Sequence, residues 1–160
     1  RRQRQMCIRD RKKNNREEII VNPCENEPRE YLGIRNANRF RFKAIDSEGI
    51  GENTIDVIGL NDIERVMIPR MEEWESLEER LIEIENDLKE DGFKQKYKNR
   101  LRKIMEECLP DMSYSATKAT NLLNDDTYSG IKNILIESDQ WTDDLKELEK
   151  DIEHIALKLV

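Results

Sequence analysis

His154 is the only histidine in the chain, so any acid–base or metal chemistry that needs imidazole would have to be built around it. It stands in "DIEHIAL", one position off an apolar stripe, with no cysteine at ligand spacing and no nucleophile beside it. A transition-metal site needs several convergent donors, and an activated nucleophile needs an adjacent base. His154 is therefore read as a partly exposed helix residue. The 35 acidic residues repeat along helix faces, whereas paired carboxylates do acid–base work in a pocket that drives their pKa values apart. They are read as solvated surface. Gly49 and Gly51 in "GIGEN" lack the third glycine, or the Gly-Lys-Ser/Thr, of a phosphate-cradling loop, and are read as a turn. "DDTYSGIKNILIE" has the outline of a calcium loop, with Asp125, Thr127 and Ser129 at alternate positions before Gly130. Lys132 stands where that loop wants an apolar residue, and Ile136 where it wants a bidentate acid, which excludes it. The expectation is a non-enzymatic chain with no catalytic residue, no cofactor, no metal and no small-molecule substrate.

Binding chemistry is better represented. In "RNANRFRFK", Arg35 opens a stretch in which Arg39, Arg41 and Lys43 alternate with Phe40 and Phe42. Strict alternation marks a half-buried strand. If the phenylalanines are open, bases can stack on them while the cations hold phosphates. If they are core, a basic outer face remains. Arg35, Arg39, Arg41 and Lys43 are the candidate nucleic-acid contacts. A second basic run, Lys94 to Lys103, is read as the complement of an acidic helix, with phosphate binding as its alternative.

These residues need elements to hold them. The alternation and the glycines of "DSEGIGEN" predict a β-hairpin over Arg39–Leu60, with "TIDVIGL" as the returning strand. "EIIV" (Glu18–Val21) is a further strand candidate, as is the stretch around "RVMI" (Arg65–Ile68), and 22–38 reads as loop. From Pro69 the period becomes helical. Trp74, Leu77, Leu81, Ile84 and Leu88 form one seam, spaced three and four apart, with acidic flanks. Phe93, Tyr97, Leu101, Ile104 and Cys108 form the next, with basic flanks, after a break at Gly92. The short break predicts an antiparallel αα-hairpin. Two short helices follow Pro110, the first capped by Ser113 or Ser115 and the second weakened by Gly130. A last helix carries Trp141, Leu145, Leu148, Ile152, Ile155 and Leu159 on one seam up to Val160. Both seams, Trp74–Leu88 and Trp141–Leu159, are candidate core or partner surfaces, since tryptophan anchors interfaces as well as cores.

The first residues stand apart. "RQMCIRDR", within residues 1–11, resembles the translated sequencing-adaptor scar found at contig ends in environmental assemblies; the resemblance implies no fold and no activity. Excluding those residues removes five Arg and one Asp. The remaining 23 basic and 34 acidic residues give a net charge of −11, against −7 for the whole chain. So strong an acidity argues against wrapping a duplex with the whole surface. Cys24 and Cys108 lie far apart and without CxxC partners, which reads as free thiols in a reducing, intracellular setting. No apolar run reaches the length of a bilayer span.

The resulting expectation is an α+β, mostly α chain. Residues 12–68 make a small β element with loops, and 69–160 a helical bundle or coiled-coil region. The leading function is an interaction or assembly module acting through its helical seams on a protein partner or on itself, as the C-terminal part of a longer phage or microbial protein. A nucleic-acid accessory role through the basic hairpin is the alternative. A regulatory terminal region of an enzyme whose active site lies upstream is the third.

Overall fold

Apolar residues spaced three and four apart bury one stripe of a helix, and here they build the longest elements. The computed structural model describes residues 19–22 and 24–160; residues 1–11, read above as a scar, lie outside the described residues. The order is α1 (Pro28–Tyr31), β1 (Leu32–Arg35), β2 (Asn38–Ala44), α2 (Ile50–Ile58), a π-helical turn (Ile63–Met67), α3 (Ile68–Asp91), α4 (Gln95–Glu106), α5 (Ser115–Leu123), α6 (Asp126–Glu137), α7 (Asp143–Ile155) and β3 (Lys158–Leu159). The chain is α+β and mostly α.

α3 and α4 form the expected antiparallel hairpin. Their ion pairs climb one helix as they descend the other: Arg80 with Glu107, Asp87 with Arg100, and Asp91 with Lys94. Exposed pairs of this kind contribute about 0–1 kcal/mol each. The seam contributes more, because each fully buried Leu or Ile is worth about 1.5–3 kcal/mol. Leu77, Leu81, Ile84, Leu101 and Cys108 are fully buried, and Trp74, Leu88, Tyr97 and Ile104 nearly so. Tyr128, Ile131 and Leu135 of α6 and Leu145 and Ile152 of α7 complete this core, with Trp141, Leu148 and Ile155 packed at its margin.

The Arg80–Glu107 pair carries a pH signature. Two hydrogen bonds of 2.8 and 2.9 Å from the guanidinium hold the Glu107 carboxyl below its usual 4.5. A lowered folded-state pKa means that the unfolded chain takes up the proton first as pH falls. This stabilisation is present above pH 4.5 and disappears as pH drops through the folded value. Glu107→Gln is expected to lower stability at neutral pH and to flatten the acid loss. Urea unfolding at about pH 7 and about pH 3 checks this; equal pH dependence in both proteins would remove Glu107 from the account.

The sheet is three-stranded, in the order β2–β1–β3. β1 pairs antiparallel with β2 (Leu32 with Ala44, Gly33 with Lys43, Ile34 with Phe42) and parallel with β3 (Gly33 with Lys158, Ile34 with Leu159). Its inner face packs Leu32, Ile34, Phe42 and Leu157.

The hairpin expected over Arg39–Leu60 is corrected: β2 is a strand, but its partner is β1, which was read as loop, and "TIDVIGL" lies in and just beyond helix α2. The Asp46 carboxylate accepts hydrogen bonds from the Ile50 and Gly51 amides at 2.9 Å each. That satisfies donors a helix start leaves unpaired. Gly59, at φ +73°, closes the other end, as a left-handed C-terminal residue does. "RVMI" falls in the π turn and the start of α3 rather than a strand. Of Glu18–Val21, Glu18 lies outside the described residues, and Ile19, Ile20 and Val21 form no strand; the Val21 amide donates to Thr54 Oγ1. Neither serine caps α5: Tyr114 precedes it in a left-handed conformation with no side-chain cap, and Ser113 Oγ reaches Glu73 instead. Asp125 caps α6 by accepting from the Tyr128 amide.

The last seam is also shorter than expected. α7 stops at Ile155, Ala156 is extended, and the Leu157 amide donates to Thr120 Oγ1 at 2.8 Å. Leu159 therefore lies in β3 and not on the helix. The sheet takes strands from both sides of residue 69.

Candidate functional site: a basic sheet face

Side chains alternate across a strand, so a register that sends one set inward sends the other outward. Phe42 enters the core under the sheet, and Phe40 packs against the helical core. The mode in which bases stack on open phenylalanines is thereby closed. Arg41 and Lys43 stay exposed on the outer side, and Arg35 is exposed at the end of β1, beyond the register shift that follows Ile34. Arg39 is half-buried and turns away to donate to the Asn124 carbonyl at 3.1 Å. Two of the four sequence candidates thus share the open face, Arg35 stands exposed at the end of the neighbouring strand, and Arg39 ties β2 to the end of α5.

The sheet adds a residue that sequence reasoning missed. Gly33 is the register partner of both Lys43 and Lys158, so the two lysines flank it on the same side. With strands about 4.8 Å apart, their backbones lie roughly 10 Å from each other. Gly33 itself is required here: a Cβ on it would come within 2.9 Å of Val160 Cγ2 and 3.1 Å of Ile45 Cγ2. Those two aliphatic side chains fill the space above the glycine, so the face reads cation, apolar, cation across the strands. Only the pairing with β3 reveals Lys158, because two strand residues after a helix leave no periodic signal.

Among the described residues, Arg35, Arg39, Arg41, Lys43 and Lys158 make no ion pair, whereas Arg80, Arg100, Lys118 and Lys132 each hold a carboxylate. A chain of net charge −7 therefore carries a group of unpaired cations on its sheet, bordered by Glu30 and Glu153 at the end near Ile45, Lys158 and Val160, and such a group attracts anionic partners over a Debye length of about 8–10 Å.

The face is held from behind and at its edge. Arg70 is buried and donates to the carbonyls of Phe40 and Leu60, with its guanidinium 4.6 Å from the Phe42 ring and 5.9 Å from that of Tyr114. Burial lowers its pKa to about 10. The Asn61 amide group brackets Phe42, accepting from its N–H at 2.8 Å and donating to its carbonyl at 3.0 Å. Side chains thus occupy the outer edge of β2, where a free strand edge would recruit another strand.

Both helical seams face inward. Trp74, Leu77, Leu81, Ile84 and Leu88 are 5% exposed or less, so this seam belongs to the chain's own core and is unavailable to a partner while the fold is intact. Elsewhere the chemistry is quiet. Burial pushes the Cys108 thiol up to about 12, which suppresses the thiolate. His154 is exposed. No group of three or more His, Cys, Asp or Glu is placed to hold a metal among the described residues. No helix among them is long and apolar enough to cross a membrane.

No family model matches the chain, and no solved structure matches it. A curated protein does: over 150 residues the chain is 27% identical to the Septu protein PtuB of Bacillus thuringiensis, a match that takes in 89% of this chain and 56% of that protein. The chain thus spans little more than half the length of the relative it resembles.

Proposed function

We propose that this chain is a non-enzymatic interaction module, one section of a longer protein similar to Septu protein PtuB, and that it docks an acidic protein surface through the outer face of its sheet. The observation that carries this is the set of exposed, unpaired cations Arg35, Arg41, Lys43 and Lys158 in an otherwise acidic molecule. The match to PtuB, which covers 56% of that protein, supports the reading as one part of a longer chain. The burial of the Trp74–Leu88 seam, and of Leu145 and Ile152 on the other, favours the sheet over the helical seams as the docking surface.

The cation alternation along β2 favours a second reading, nucleic-acid binding through phosphates alone, since the phenylalanines are turned inward. One titration separates the two. The chain is titrated against labelled poly-L-glutamate and a labelled DNA duplex at about 50 mM salt, where phosphate and carboxylate contacts are little screened. The expected result is polyglutamate binding that weakens at least about tenfold in Arg41→Glu/Lys43→Glu, about 1.4 kcal/mol. Duplex binding without polyglutamate binding would transfer the function to nucleic acid. Unchanged binding of both by the double variant would remove the face from either role.

A further inference from the structure

α3 presents an acidic stripe that the bundle leaves open. Glu72, Glu75, Glu79, Glu83 and Glu90 are exposed along it. Glu83 pairs with Arg100, while Glu72, Glu75, Glu79 and Glu90 make no ion pair among the described residues. In the middle of the stripe stands Ile82, 44% exposed, so the order along the helix is acid, apolar, acid. The sheet face carries the opposite order of charge around an apolar centre, Lys43 and Lys158 on either side of Ile45 and Val160, with Val160 41% exposed.

One spacing agrees: the exposed Glu72 and Glu79, seven apart on the helix, differ by a rise of about 10.5 Å, against roughly 10 Å between Lys43 and Lys158 across two strand spacings.

We infer that the occupant of the basic sheet face is a second copy of this chain, laid across it by the exposed stripe of α3. This rests on the reading of the face as a protein-docking surface and names the partner. The contact is heterologous: the face of one copy meets the helix of the next, leaving a free face at one end and a free stripe at the other. Such contacts generate rings or open chains rather than closed two-fold dimers. Built from surface charges around a small apolar centre, the association is salt-sensitive.

The test is sedimentation velocity of the full chain at about 50 and about 500 mM salt, with circular dichroism melts to confirm that each variant folds. The expected result is concentration-dependent association at low salt that is lost at high salt. It is lost in Arg41→Glu/Lys43→Glu and lost in Glu75→Lys/Glu79→Lys. Mixing the two variants restores it, because each reversed surface now meets its complement. Three results overturn the inference. A parent chain that stays monomeric at low salt while binding polyglutamate through the face ends self-docking but leaves the docking reading intact. A monomeric parent that binds neither polyglutamate nor duplex ends both. Association that survives reversal of the face means that the copies meet through another surface, and ends the inference.

Discussion

Gly51→Ala is expected to lower stability by about 3 kcal/mol and the melting temperature by about 6–12 °C. A Cβ at Gly51 would drive into the backbone carbonyl of Tyr31, lie 2.6 Å from Asp46 Oδ1 and come within 3.1 Å of the Ala44 Cβ. The first obstacle is main chain, which cannot rotate away as a long side chain would. The second is the carboxylate that accepts the Ile50 and Gly51 amides. The added methyl therefore has to push α2 off the sheet and loosen its own start. Gly49 provides the control. It sits at φ +80° with open space around it, so Gly49→Ala meets only the left-handed backbone cost of about 1–2 kcal/mol. Thermal melts of both variants decide the matter. A Gly51→Ala protein that melts within about 2 °C of its parent would mean that α2 and Tyr31 are not in contact.

The second large effect belongs to Arg70. Arg70→Ala leaves the Phe40 and Leu60 carbonyls without their donor and removes the group that lies over the Phe42 and Tyr114 rings. An orphaned buried acceptor costs about 1–3 kcal/mol, and truncation of a long buried side chain adds a cavity, so the expected loss is about 3–4 kcal/mol. Arg70→Met keeps most of the volume and removes the donors; about 2 kcal/mol is expected for it. Arg70→Lys keeps the charge but replaces a planar fork with a single point donor, and should fall between the two. Urea unfolding ranks the three. If Met proves as damaging as Ala, the lost hydrogen bonds rather than the packing govern the site. The damage should be local as well as global: amide exchange is expected to quicken first in β2, whose outer edge Arg70 and Asn61 close together.

Much of this was legible in the residues. The α3 and α4 seams were read correctly because 3–4 spacing over several turns has no other common cause, and the charge contrast of their flanks matches the pairs from Arg80–Glu107 to Asp91–Lys94. The alternation of β2 was equally plain, and it separated Phe42 from Arg41 and Lys43. What failed was short. β1 spans four residues, three of them buried in succession, so it shows no alternation, and its glycine reads as a loop signal. "TIDVIGL" is apolar at alternate positions but also at helical ones, and a run that short fits both periods. The deciding contact was the Asp46 carboxylate reaching the Ile50 and Gly51 amides, which no local pattern announces. α7 fooled the eye differently: Leu159 continues the spacing of Ile152 and Ile155 by coincidence, while the chain has already left the helix at Ala156. The candidate site inherited that error, because Lys158 joins Lys43 only through β3.

The parallel pairing of β1 with β3 sets an order on folding during synthesis. Ile34 meets Leu159, 125 residues later (159 − 34), and the Val160 amide and carbonyl bond to Ile34 and Asn36. The α3–α4 hairpin needs only neighbours in sequence and can close while the ribosome is still working, since helix formation and local docking take microseconds to milliseconds and elongation adds only about 5–20 residues per second. The sheet cannot. Until residues 158–160 have left the exit tunnel, β1 has one partner instead of two, and Gly33 makes room for Ile45 but not yet for Val160. The nascent chain therefore carries a sheet with a bare edge while the helices between β2 and β3 are made. The lysines and arginines along that sheet keep the waiting edge in solution.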